Sequence, residues 1–160
     1  MEYYELCKLG ETVPSKKQNP FAPKLPFRLG VAGTSESGKT KMVVHQLLGS
    51  KYPKVYPWMS GEKRGRHEGI SSIYIAQHFY EIHPNIRANL KYISLHRRCG
   101  TLDSIKRILK DMFDDYESLA KKVYEVIKKH FVVIDIRRPP DNPLSIRFRW
   151  DKPLKDWQNV

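Results

Sequence analysis

At 160 residues, the chain is long enough for one α/β domain with a proper core, and a single domain is the expectation. Its 29 Lys and Arg against 17 Asp and Glu leave a formal net charge of +12, a field that attracts polyanions without regard to sequence. Two distant cysteines, Cys7 and Cys99, with no C-x-x-C pair and no His at ligand spacing, suggest neither a zinc site nor a disulfide framework. With no apolar run near the ~20 residues of a membrane span and no signal pattern at the start, an intracellular, soluble protein is expected.

Residues 1–26 carry four prolines and little apolar periodicity, which predicts a disordered or loosely draped leader, with the domain over 27–154 and a tail at 155–160. Phe27, Leu29, Val31 and Ala32 then form a short apolar run that reads as a buried strand. It leads into Gly33-Thr34-Ser35-Glu36-Ser37-Gly38-Lys39-Thr40, which fits G-x-x-x-x-G-K-[ST], the phosphate-binding loop pattern. The glycines free the backbone so that successive N–H groups converge on phosphate oxygens. Lys39 would reach the β- and γ-phosphates, Thr40 would give its hydroxyl to Mg²⁺, and the following helix would favour the charge. Glu36 sits where a small residue is common, its carboxylate either near the phosphates or out in solvent. Met42, Val43, Val44, Leu47 and Leu48 sit at helical spacing, and Gly49 ends the run.

Residues 50–69 mix prolines, glycines and basic residues without a period and read as a long loop. "SSIYIAQ" and "LKYISL" read as strands joined by a short connector. From Leu102 to Ile127 an amphipathic stretch with Thr101 as N-cap predicts two helices or one bent helix, broken at Asp114-Asp115. "FVVIDI" reads as a buried strand, and "SIRFRW", alternating apolar and basic residues, as a half-exposed edge strand. The order of elements predicts an α/β fold with a mainly parallel sheet flanked by helices, and the loop motif makes it P-loop-like.

Hydrolysis would require an acidic residue at a second strand end to hold Mg²⁺ through water and orient the attacking water. The only apolar strand ending in an acid is residues 131–135, so Asp135 is the naive candidate, against its reading as the end of an ordinary core strand. Gln77 could position water beside the γ-phosphate if its strand lies next to the loop strand, or could be a simple polar strand terminus. Arg87 could serve a neighbouring subunit as an arginine finger, or be only a surface arginine. The histidines at 67, 78, 83, 96 and 130 have no metal-ligand spacing and read as surface or packing residues.

The segments "KLPFRLGVAGTSESGKTKMVVHQLL", "GRHEGISSIYIAQHF…HPNIRANLKYISL" and "FVVIDIRRPPDNPLSIRFRWDKPL" resemble the poxvirus-type genome-packaging ATPases of the FtsK–HerA superfamily. The likeness spans Lys24 to Leu154. It implies ATP and Mg²⁺ as cofactors, double-stranded DNA as partner and a homo-oligomeric ring. It makes Gly33, Gly38, Lys39 and Thr40 the nucleotide loop, Gln77 a polar sensor and Arg87 a trans-acting arginine. The family carries a further acidic strand between the first helix and the "GRH" segment, where this chain has only residues 50–64, and Glu62 there follows no apolar run. The resemblance therefore implies an internally shortened ATPase that binds nucleotide with weak or absent hydrolysis. Two other readings are a basic nucleic-acid-binding module with a vestigial loop, and a small nucleotide kinase, which lacks a lid or acceptor-base signature.

Overall fold

In the computed structural model, the described residues are 26–48, 71–150 and 152–154. The expected leader up to residue 25, the loop at 50–69 and the tail at 155–160 lie outside them.

Six strands form one open sheet in the order β2-β1-β3-β4-β5-β6. They are β1 (Arg28–Ala32), β2 (Ser72–Ala76), β3 (Tyr92–Leu95), β4 (Val132–Asp135), β5 (Ile146–Phe148) and β6 (Lys152–Pro153). The helices are α1 (Lys39–Leu48), α2 (Pro84–Arg87), α3 (Leu102–Lys110) and α4 (Tyr116–Ile127), with a 3₁₀ turn at Phe79–Glu81. The architecture is α/β, a sheet flanked by helices.

The expected mainly parallel sheet is corrected to a mixed one. β1 pairs in parallel with β2 and β3, whereas β3–β4, β4–β5 and β5–β6 are antiparallel. The break at Asp114-Asp115 explains this. It splits the amphipathic stretch into α3 and α4, which pack together as a hairpin across residues 111–115. Two helices return the chain to the end of the sheet it left, so β4 must run against β3; a single crossover helix would have made them parallel.

Thr101 caps α3 as its sequence predicts, its hydroxyl accepting from Ser104 N at 3.3 Å. Ala120, Val123, Val126 and Ile127 of α4 recur at helical spacing and are buried with Ile105, Ile108 and Leu109 of α3. With Ile93, Leu95, Val132, Ile134, Ile146 and Phe148 they form the larger core on one face of the sheet. Full burial of each aliphatic side chain there contributes on the order of 1.5–3 kcal/mol. On the other face Leu29, Val31, Tyr92 and Val133 pack with Met42 and Val43 of α1 and with Trp150.

The expected half-exposed edge strand "SIRFRW" is also corrected. β5 is interior, flanked by β4 and β6, and all three of its residues are buried, Arg147 completely. Alternation here separates an apolar face from a face carrying one buried ion cluster, not core from solvent.

Candidate phosphate-loop site

β1 ends at Ala32, and the chain then turns through residues 33–38 before α1 begins at Lys39. The two glycines of the motif do different things. A Cβ on Gly33 would stand 2.6 Å from His96 Cβ and 2.8 Å from Ser37 Oγ, so Gly33 is required by close approach. Gly38 has a φ of +82° and nothing within 4 Å of such a Cβ, so its requirement is conformational. Glu36 also adopts a positive φ, 63°, and is exposed, leaving its carboxylate at the surface of the turn.

The Lys39 side chain folds back over the loop, where its ammonium donates to the carbonyls of Gly33 and Thr34, the latter at 2.6 Å. Met42 N donates to Gly38 O at 2.9 Å, the first bond of α1. The N–H groups before it in the first turn, at Lys39, Thr40 and Lys41, therefore have no intrahelical acceptor. Thr40 is exposed in that first turn. Ser37 Oγ is enclosed and has no hydrogen-bond partner. An ammonium held only by backbone carbonyls among the described residues, together with N–H donors without intrahelical acceptors in the same turn, suits an anion with several acceptor oxygens.

Neighbouring strands hold the loop in place. Gly33 N donates to Ala76 O at 3.3 Å, and Thr34 N donates to Arg97 O at 3.2 Å. Because Ala76 lies opposite Ala32 in the parallel register, Gln77 emerges beside Gly33. Its side chain is exposed, and its backbone N donates to Glu81 Oε2 at 3.0 Å. The backbone N–H groups of His78 and then Gln77 hold the Glu81 carboxyl below its usual range.

His96, which the sequence places only as a surface or packing residue, lies under the loop. It is buried, at 1% exposure, and stacks on Phe131 with ring centroids 4.8 Å apart. Its Nδ1 lies 3.2 Å from Ser37 O and its Nε2 3.0 Å from Ser94 Oγ. A carbonyl can only accept, so Nδ1 carries the proton and Nε2 accepts from the Ser94 hydroxyl. Burial keeps this ring neutral by pushing its pKa down to about 4; the Ser37 carbonyl pulls the other way, and the Lys39 ammonium adds to the depression. The available signal was positional: the residue following a parallel strand next to β1 falls beside the loop.

Two other predicted residues are not brought here. Arg87 Nη1 donates to Tyr80 O at 2.8 Å and Ile82 O at 3.0 Å, and its guanidinium lies 4.9 Å from the Tyr80 ring centroid. It clamps its own connector. Asp135 lies opposite Tyr92, which itself lies opposite Leu29, at the end of the sheet away from the loop. There its Oδ2 accepts from Arg147 Nη2 at 2.7 Å and Arg138 Nε at 3.0 Å, and its Oδ1 from Arg137 Nε at 3.2 Å. Asp135 is a strand-terminal carboxylate in an ion cluster. Its placement follows from the reversed direction of β4.

The loop end collects other basic residues. Arg97 and Arg98 follow β3, Lys128, Lys129 and His130 precede β4, and Arg149 follows β5, all on the same side of the sheet as residues 33–38. Arg98 and Arg149 share the positive φ of Glu36, each at 55°, so all three non-glycine residues in that conformation, among those described, lie at this end. Among the described residues, no group of three His, Cys, Asp or Glu could hold a metal ion, and no helix is long and apolar enough to cross a membrane.

No family model, no curated protein and no solved structure matches the chain.

Proposed function

We propose that the chain is an ATP-binding P-loop domain of the packaging-ATPase type, acting chiefly as a nucleotide binder. The observation that carries this reading is the Lys39 ammonium lying across the turn on the Gly33 and Thr34 carbonyls, next to helix N–H groups without intrahelical acceptors. A triphosphate placed there would meet a fixed cation and N–H donors. Thr40, exposed in the first turn of α1, is the residue that would hold Mg²⁺, which when bound would neutralise phosphate charge. Gln77, beside Gly33, is the polar group nearest a terminal phosphate in this reading. Hydrolysis is weak or lost, because an acid that would orient water is not supplied by Asp135 at the far end or by Glu81, whose carboxylate is engaged by backbone N–H groups. Double-stranded DNA as partner and assembly into a ring follow from the family likeness alone.

The test is a titration of fluorescent ATP with Mg²⁺ into the protein and into Lys39→Ala. Binding by the first and a large loss in the second are expected; equal affinity for both removes the reading.

A second reading, a basic nucleic-acid-binding module with a vestigial loop, is favoured by the exposed Arg97, Arg98, Lys128, Lys129 and Arg149 gathered at the loop end. It predicts DNA binding indifferent to ATP, with log affinity falling steeply against log salt.

A further inference from the structure

The turn at residues 33–38 depends on an imidazole that neither the motif nor the family likeness assigns. The peptide joining Ser37 to Gly38 is planar and trans, so its C=O and N–H point in opposite directions. Whatever fixes the Ser37 carbonyl fixes the Gly38 N–H. The Ser37 carbonyl receives the Nδ1 proton of His96 at 3.2 Å, on the side of the loop facing the sheet. The Gly38 N–H is thereby turned to the other side, away from the sheet.

We propose that His96 is the positioning residue of the phosphate loop: its Nδ1–H holds the Ser37 carbonyl inward and so keeps the Gly38 N–H aimed at an incoming phosphate. The assignment rests on the nucleotide reading of the loop given above. Three further contacts fit it. Ser94 Oγ at 3.0 Å from Nε2 selects the tautomer, the stacked Phe131 ring sets the plane of the imidazole, and His96 Cβ lies where any side chain at position 33 would have to go. The ring is buried at 1% exposure, so it acts through the backbone and touches no ligand. A neutral ring donates one proton and accepts one; a charged ring would offer Ser94 a second donor and add repulsion toward Lys39.

Two variants separate this role from simple packing. Asparagine at position 96 keeps an N–H donor at the place of Nδ1, whereas leucine fills comparable space with none. With ATP and Mg²⁺ as probe, His96→Leu is expected to bind about tenfold more weakly than wild type, the value of one hydrogen-bond-directed peptide, and His96→Asn to restore most of that loss. Thermal unfolding of both variants registers the packing change, which the asparagine variant shares and the affinity does not follow. In the wild-type chain without nucleotide, ¹⁵N-resolved imidazole spectra are expected to show His96 protonated on Nδ1, and the Gly38 amide is expected to shift strongly on adding ATP. A proton on Nε2 overturns the role outright. Wild type and His96→Leu binding ATP equally well overturns it while leaving the nucleotide reading intact. A wild type that binds no ATP removes that reading, and this role with it.

Discussion

The two ends of the sheet handle positive charge in opposite ways. At the end where β4 terminates, three guanidiniums from Arg137, Arg138 and Arg147 converge on the Asp135 carboxylate, and the protein supplies its own anion. At the end where β1 terminates, the Lys39 ammonium has only backbone carbonyls as partners among the described residues, with unused N–H groups beside it. One end is closed in the sense that its cations share an internal carboxylate, with positive charge left over. At the other, the Lys39 cation is met by backbone oxygens alone among the described residues, the contrast expected under the proposed nucleotide reading between a structural ion cluster and a site that takes its anion from solvent.

The largest effect that can break this comparison is at the closed end. Asp135→Asn preserves shape but leaves the fully buried Arg147 without its carboxylate, and is expected to cost about 3–5 kcal/mol of stability by urea unfolding. ATP affinity of the folded fraction should not change, because Asp135 lies at the other end of the strands. A large fall in affinity at unchanged stability would show that the two ends are not separate. Lys39→Ala tests the open end and should do the reverse: a loss of roughly 30- to 100-fold in ATP affinity, the worth of one charge-assisted bond, with little change in unfolding.

The parts legible in the sequence are those decided locally. The strand, glycine turn and helix from 28 to 48, the Thr101 cap and the break near Asp114-Asp115 each depend on residues within a few positions of one another. Strand direction does not. Whether β4 runs with or against β3 depends on how many helices intervene, and that single fact sends Asp135 to the far end, while the parallel pairing of β1 with β2 leaves Gln77 near the loop. Arg147 misled for a related reason: alternation looks the same whether the second face meets solvent or a buried carboxylate. His96 is marked in the sequence only by its place just after a strand beside β1, since its contact with the loop is to Ser37, 59 residues away in the chain.

Acid titration sharpens the comparison next. Burial pushes the His96 pKa down to about 4 in the folded chain, against its ordinary value of 6.5 when unfolded. The unfolded chain therefore binds its proton first, so the contribution is complete above pH 6.5 and falls away as pH drops from there toward 4. The charged group facing the ring is Lys39, which opposes protonation at every pH in this window; Ser37, Ser94 and Phe131 complete its contacts and carry no charge. Between pH 7.5 and pH 5 the loss from this group is about 2 kcal/mol. His96→Asn should flatten the stability profile by that amount over the same range, and an unchanged profile would place the ring in a more open environment than the one described.

The smallest expected effect separates the two glycines of the loop. Alanine at position 38 must adopt a φ near +82° but meets no atom within 4 Å, so its cost is the conformational one alone, on the order of 1 kcal/mol. Alanine at position 33 is under no such strain, yet its methyl would meet His96 Cβ, Ser37 Oγ and, at 3.3 Å, the Arg97 carbonyl. Relief requires moving β3 or the loop, typically at ~1–3 kcal/mol. Moving the loop disturbs the contact between His96 and Ser37. Gly33→Ala should therefore lose nucleotide affinity beyond its loss of stability, whereas Gly38→Ala, its peptide still held by His96, should lose less of both. Equal damage in urea unfolding and ATP titration would mean that the loop is governed by backbone freedom at its glycines, not by the histidine beneath it.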